Sequence, residues 1–145
     1  MNRSSDMEYR RFDDMIVVRM DRGEEIVARL KEVALKENIK LANVNALGAV
    51  NDFTVGAYDV NEKKYNSNRF EGVYEIVSLT GSINTMNGEY YSHLHMACSD
   101  ETGKTVGGHL NEAHISATCE MFIQVIDGTV DRYKDEETGL NLFRF

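Results

Sequence analysis

An amphipathic pattern near the start of the chain predicts its main helix. Apolar residues recur at three- and four-residue intervals from Ile26 to Ala34, which places them on one stripe of a helix. Asp21 has the residue type of an N-cap, and Glu24 three residues later has the spacing of a capping box. The pattern therefore predicts a helix that begins after Asp21, ends near Asn38 and packs against a sheet.

Most of the remaining apolar positions are typical of β-strands. Alternating and β-branched runs are separated by short turn segments, namely Asn51-Asp52, 61–64, Asn87-Gly88 and Asp127-Gly128. The predicted strands span 15–20, 41–50, 53–60, 72–83, 89–99, 105–110, 115–126 and 131–145. Many strands, one early helix and short turns predict an α+β fold with a mostly antiparallel, barrel-like sheet and the helix on one side.

Length and composition narrow the class of protein. A chain of 145 residues has the size of one ordinary domain, and 42% hydrophobic with 28% charged residues is typical of a globular fold. The sequence has no proline, repeat or linker-like stretch, so we expect residues 1–145 to form one domain. The net charge of −8 opposes binding to phosphate backbones over most of the surface.

Targeting and redox signals favour a cytoplasmic protein. The polar opening MNRSSDMEYRR has no signal-peptide h-region, and no apolar run reaches the length of a membrane span. Cys98 and Cys119 form no CxxC pair and lie in apolar runs, so we expect buried free thiols. No phosphate-binding glycine loop and no GxSxG elbow occurs, which argues against nucleotide hydrolysis and serine hydrolase chemistry.

Three of the four histidines lie in the segment HLHMACSDETGKTVGGHL, residues 93–110. The internal DETG fits a type I turn with a left-handed glycine, the common three-residue hairpin loop. Counting outward from this loop places His95 opposite His109. His93 shares their face of the sheet because side chains alternate along a strand. The spacing therefore predicts that three imidazole rings project from one patch.

Three imidazoles on one sheet face have the composition of a metal site. Neutral histidine binds zinc, nickel, copper and iron, and three histidines with an open fourth position form a common catalytic zinc site. We predict that His93, His95 and His109 bind zinc or another divalent transition metal; the alternative is a hairpin with three solvated histidines. A bulge at Gly103 or near Gly107-Gly108 would shift the register by one residue.

The other polar residues have simpler interpretations. Glu120 lies in an otherwise apolar strand, where it is either a catalytic proton shuttle beside the metal or an interface residue paired with a neighbouring subunit. Glu75 has the same two interpretations, and its strand pattern favours a solvated face. We expect His114 in a surface loop. Gly81, inside a strand, indicates a bulge or close subunit packing. Gly107-Gly108 indicates a close approach of another backbone or a bulge that re-aims His109.

Four stretches resemble the plants-and-prokaryotes conserved (PPC) domain family. HLHMACSDETGKTVGGHL resembles the signature of its prokaryotic members, with GGH as the most specific part. YEIVSLTGSI (74–83) is similar to the FEILSLSG stretch of the plant members. The segments 45–59 and 117–125 lie where that family has its glycine-rich and glutamate-bearing strands. The resemblance covers the chain from about residue 8 to its end.

The resemblance implies an α+β fold, a homotrimer and the family's usual label of predicted DNA-binding protein. In plants the domain follows an AT-hook that binds DNA, whereas this sequence has no RGRP-type hook. The fold is also similar to that of acetolactate decarboxylase, a zinc enzyme whose histidine ligands, matched in order, fall on His93, His95 and His109. Three functions follow: a metal-dependent lyase or hydrolase acting on a small polar substrate, a DNA-associated regulatory module, or an interaction protein whose metal rigidifies the hairpin.

Overall fold

The computed structural model describes residues 6–145, in which one helix and eight strands are found. In chain order the elements are β1 (Glu8–Phe12), β2 (Met15–Asp21), α1 (Ile26–Lys36), β3 (Ala42–Asp59), β4 (Lys64–Met86), β5 (Glu89–Ser99), β6 (Thr105–Val125), β7 (Asp131–Lys134) and β8 (Asn141–Arg144). The helix does not have the length and apolar character needed to cross a membrane.

Six strands form one antiparallel sheet in the order β1-β2-β6-β3-β4-β5. The first part of β6 also pairs with β5, so β3, β4, β5 and β6 close into a barrel-like ring. β7 and β8 form a separate two-stranded hairpin. The α+β class and the mostly antiparallel, barrel-like sheet predicted from the sequence are therefore confirmed.

The hydrophobic core lies between α1 and the inner face of the sheet. The apolar stripe of α1 is buried as predicted, with Leu30 and Val33 fully inaccessible to solvent. On β5 the residues Leu94, Met96 and Cys98 point inward, so the alternate residues of this strand point to the outer face. Cys98 and Cys119 are buried free thiols, as expected, and burial raises the pKa of each to about 12.

The helix begins later than the capping-box pattern predicts. Glu25 is the N-cap, and its carboxylate accepts hydrogen bonds from two backbone N–H groups of the first turn, at 2.9 and 2.7 Å. Glu24 does accept a hydrogen bond from the backbone N–H of Asp21, at 2.6 Å, but this bond closes the turn before the helix. Asn38, with a left-handed φ of 52°, lies just past the helix end, as predicted.

Several strands are longer than their predicted segments. Asn51-Asp52 is not a turn, because β3 continues through it with a register shift between Val50 and Asp52. The predicted strands 105–110 and 115–126 are likewise one strand, β6. The sequence pattern did not predict β1, since its residues EYRRF are mostly polar and exposed.

Candidate metal centre

A tight loop between β5 and β6 sets the register of the histidine hairpin. The carboxylate of Asp100 accepts hydrogen bonds from the backbone N–H groups of Thr102 and Lys104, at 2.9 and 3.1 Å. Gly103 has a φ of 85°, the left-handed conformation that the loop requires. The predicted three-residue loop is confirmed, and it places His95 opposite His109.

The side chains of His93, His95 and His109 meet on the outer face of the sheet. Their ring centroids are 5.0 Å (93–95), 5.2 Å (93–109) and 5.7 Å (95–109) apart. One ring nitrogen from each lies within 4.8 Å of the other two. Nitrogens bound to tetrahedral zinc at about 2.0–2.1 Å are roughly 3.4 Å from each other. Small side-chain rotations bring the three nitrogens to that spacing, so these residues fit a metal ion.

The electrostatic surroundings keep two of these imidazoles neutral. Burial, followed by the charges of His109, His95 and Arg132, lowers the pKa of His93 to about 4. Burial, followed by the charge of His95, also lowers the pKa of His109. Histidine binds metal ions only in its neutral form. His93 and His109 are therefore in the protonation state that metal binding requires at neutral pH.

Glycines allow the strands to approach each other closely at this site. A Cβ on Gly81 of β4 would collide with the backbone carbonyl of His93. Gly107 and Gly108 of β6 pack just as closely against the backbones of β5 and β3. The β5–β6 pairing is continuous over Thr105–His109, so no bulge re-aims His109. The close-approach interpretation of Gly107 and Gly108 is confirmed, and Gly81 packs against a strand of its own chain.

Two groups border the histidine patch on opposite sides. The ring of Tyr65 contacts that of His109 edge to face, with centroids 5.8 Å apart, and its hydroxyl bonds to Asn111. On the other side the β7–β8 hairpin places Arg132 over Tyr91, two residues before His93. No sequence pattern indicates a role for Arg132, because the segment DRYK is typical of an ordinary exposed strand.

The predicted carboxylate does not lie with the histidines in the same chain. Glu120 is exposed on β6, eleven residues beyond His109, opposite Arg19 of β2 and Leu47 of β3. Its catalytic role stays a prediction, and proximity within one chain does not support it. Glu75 is exposed on β4, as expected for a solvated face. His114 is partly exposed but lies within β6 instead of a loop, and it bonds to Glu112 at 2.5 Å.

Comparisons with known proteins connect this geometry to a family. The model of the Plants and Prokaryotes Conserved (PCC) domain matches residues 7–127. A Bacteroides thetaiotaomicron protein described as a "putative DNA binding protein" is 26% identical with a TM-score of 0.93, over 96% of this chain and 97% of its own. No curated protein gives a significant match.

Two archaeal structures are similar over almost the whole chain. A metal-containing protein from Archaeoglobus fulgidus is 28% identical with a TM-score of 0.85, over 99% of this chain and 100% of its own. A plant- and prokaryote-conserved protein from Pyrococcus horikoshii is 26% identical with a TM-score of 0.82, over 99% and 98% respectively.

Proposed function

The chain belongs to the Plants and Prokaryotes Conserved domain family, and we propose that it is a homotrimeric metal-binding protein of one domain. His93, His95 and His109 would hold the ion, with zinc as the default and another divalent transition metal as the alternative. The observation that carries this proposal is the convergence of three imidazoles on one sheet face. The metal-containing description of the Archaeoglobus protein supports it.

Three histidine ligands leave one position of a tetrahedral ion free on the solvent side of the sheet. When bound, zinc in such a position lowers the pKa of a bound water to about 7 and polarises substrate oxygens. The protein itself contributes the fixed spacing of the ligands, the neutral state of His93 and His109, and the aromatic ring of Tyr65 beside His109.

Metal analysis of separately purified variants tests the site. The protein is purified without chelators or nickel resin, and bound metals are measured for the wild type and for His93→Ala, His95→Ala and His109→Ala. We expect each variant to lose the metal, whereas His114→Ala, which changes a partly exposed histidine outside the cluster, should keep it. Equal metal content in all five proteins would rule out the site.

Exposed apolar residues on the outer face support the homotrimer. Leu47 and Val77 are each 56% exposed, and Phe122 is 48% exposed. Leu47 and Val77 lie where the register between β3 and β4 shifts. Phe122 is on the adjoining strand β6. Large apolar side chains that face solvent together indicate an interaction surface. Glu120 lies on the same face of β6 as Phe122, which favours its interface interpretation.

A metal-dependent lyase or hydrolase acting on a small polar substrate is the second candidate function. The free metal position favours it, as does the likeness to acetolactate decarboxylase proposed from the sequence. A carboxylate shuttle such as Glu120 would then have to come from a neighbouring copy of the chain, because it lies far along β6 from His109. Turnover of a small oxyacid by the metal-loaded protein, absent in His95→Ala, would establish this activity.

The DNA-binding description of the Bacteroides relative raises a third function, which the charge distribution disfavours. Four arginines, Arg11, Arg19, Arg29 and Arg69, are already paired with carboxylates. The net charge of the chain is −8. Because nucleic-acid affinity depends on neutralised phosphates, we expect no gel shift of duplex DNA even at low ionic strength. A salt-sensitive shift would support direct DNA binding.

A further inference from the structure

Arg132 is a buried cation without a carboxylate partner. It is 5% exposed, and no ion pair joins it to any residue in the range 6–145. Burial lowers the pKa of its guanidinium, and Tyr91 acts in the opposite direction. Buried charges are normally paired, because removing an ion from water is expensive. A buried guanidinium without a carboxylate partner is therefore a candidate binding group for an anionic ligand.

Neutral groups hold the guanidinium in place. Its Nε–H donates to the side-chain oxygen of Asn84 at 3.0 Å, and Nη1 donates to the backbone carbonyl of Asn141 at 2.7 Å. Tyr91 and Phe143 lie against it, with their ring centroids 4.6 and 4.4 Å from Cζ. These contacts fix the orientation of Arg132, and the two rings stabilise its charge in part, but none of them supplies an anion.

The orientation of Asn84 is itself fixed. Its side-chain N–H₂ donates to the backbone carbonyls of Thr85 and Val130, at 2.9 and 3.0 Å. Its oxygen must therefore face Arg132. A neutral amide oxygen thus occupies the position at which a carboxylate would usually neutralise a buried arginine.

The guanidinium retains unused donors. Arginine carries five N–H groups, and these two hydrogen bonds use only two of them. Nη2 has no acceptor in the described part of the chain, and it is not completely enclosed. This edge of the guanidinium therefore keeps N–H donors that a ligand could use.

These donors lie next to the histidine patch. Asn84 is opposite Tyr91, and the next outward pair along the same two strands is Ser82 opposite His93. Successive outward positions on a strand are about 6.5 Å apart. The guanidinium that covers Tyr91 therefore lies on the His93 side of the patch, and its charge acts on that imidazole.

We propose that Arg132 and the free position of the metal ion together bind a small oxyanion, either a carboxylate or a phosphate. This inference rests on the proposed metal centre and adds the chemical class of its ligand. Three neutral histidines leave the full positive charge on a divalent ion, and Arg132 adds a second uncompensated charge beside it. Guanidinium binds carboxylate and phosphate oxygens through paired N–H donors. One oxygen on the metal and another on Arg132 would satisfy both cations.

Cobalt(II) substitution provides the test, because the visible spectrum of bound cobalt changes when an anion enters its coordination shell. Cobalt-loaded wild type, Arg132→Met and Arg132→Lys are titrated with sodium acetate and, separately, with inorganic phosphate at constant ionic strength. Arg144→Met is the matched control, since it removes a positive charge from an exposed position of the same hairpin. Bound cobalt is measured in every sample.

We expect saturable binding of at least one anion to the wild type and to Arg144→Met, with equal affinity. Arg132→Met should bind that anion about tenfold more weakly or worse, and Arg132→Lys should be intermediate because it keeps the charge but loses the paired donors. The anion that binds identifies the ligand as carboxylate or phosphate. If Arg132→Met does not fold, Arg132→Lys gives the comparison.

The outcomes separate this inference from the metal centre itself. Normal cobalt uptake with equal anion affinity in all four proteins, or with no saturable binding to the wild type, would overturn the role of Arg132 and leave the metal site standing. Failure of the wild type to take up cobalt would overturn both.

Discussion

His95 lies directly opposite His109 across the β5–β6 pair, with the centroids of the two rings 5.7 Å apart. Each strand of the hairpin thus supplies a ligand, and His93 adds the third from β5. An ion bound to this set connects two strands that are otherwise joined by backbone hydrogen bonds and one tight loop. Metal binding is therefore expected to stabilise the folded chain.

Zinc should raise the melting temperature of chelator-treated protein. A ligand present at a hundredfold excess over its Kd stabilises the folded state by about 2.7 kcal/mol, which corresponds to roughly 5–10 °C for a chain of this size. Differential scanning calorimetry at one fixed protein concentration measures the shift. His109→Ala should show none, and His114→Ala should respond as the wild type does. A shift of equal size in His109→Ala would show that zinc acts elsewhere.

The metal-free protein should lose stability as the pH falls below 6.5. Burial lowers the pKa of His93 to about 4 in the folded state, whereas an unfolded histidine titrates near pH 6.5. Between about pH 6.5 and 4 the unfolded chain therefore binds more protons, so the free energy of unfolding decreases as the pH falls and this group has no effect above that range. Urea midpoints at pH 7.0, 5.5 and 4.5 measure the slope.

His93→Gln provides the comparison for the pH experiment because it removes the titrating group. We expect a flatter pH dependence in this variant than in the wild type, whereas His114→Gln should retain the wild-type slope. Identical slopes for His93→Gln and the wild type would show that His93 is not the group responsible.

Gly81→Ala should destabilise the protein and weaken metal retention. The new Cβ would meet the backbone carbonyl of His93, so β5 has to move away from β4. Overpacking of this kind typically costs about 1–3 kcal/mol, and here it also displaces a ligand. Urea denaturation and metal analysis measure the two effects. Ser78→Ala, at an exposed position of the same strand, is the control and should change stability by less than about 0.5 kcal/mol.

Phe122→Asp should dissociate the proposed trimer. Phe122 is 48% exposed beside Leu47, and a carboxylate at an apolar interface opposes its burial. Light scattering after size-exclusion chromatography should give a trimer mass for the wild type and a monomer mass for the variant. Val60→Asp, at the exposed tip of the β3–β4 hairpin, should remain trimeric. A monomeric wild type would end the trimer proposal, and a trimeric Phe122→Asp would place the interface elsewhere.

Local patterns were sufficient to predict the histidine patch. The DETG loop and strict alternation along two strands set the register, and both are properties of a short segment. The stripe from Ile26 to Ala34 predicted α1 for the same reason. The sequence pattern did not predict that the N-cap is Glu25 and not Asp21. The Glu25 carboxylate also accepts a hydrogen bond from Ala113 at 2.9 Å, and such a tertiary contact has no signature near residue 25.

Features that depend on distant segments were not predicted. Asn51-Asp52 has the composition of a turn, but pairing on both sides of β3 holds it in an extended, irregular strand. Arg132 is buried only because Asn84 and Tyr91 lie beneath the C-terminal hairpin. The composition of a short segment predicts neither the strand pairing at Asn51-Asp52 nor the burial of Arg132.

The pairing partners of β6 have a consequence for the order in which the fold is assembled. At one end His109 pairs with His95, a partner close by in sequence. At the other end Cys119 pairs with Met20, almost a hundred residues earlier. Contacts between neighbouring segments form before those that close long loops. During synthesis the hairpin that carries the histidines is therefore expected to form early. β2 can pair with β6 only after β6 has emerged from the ribosome.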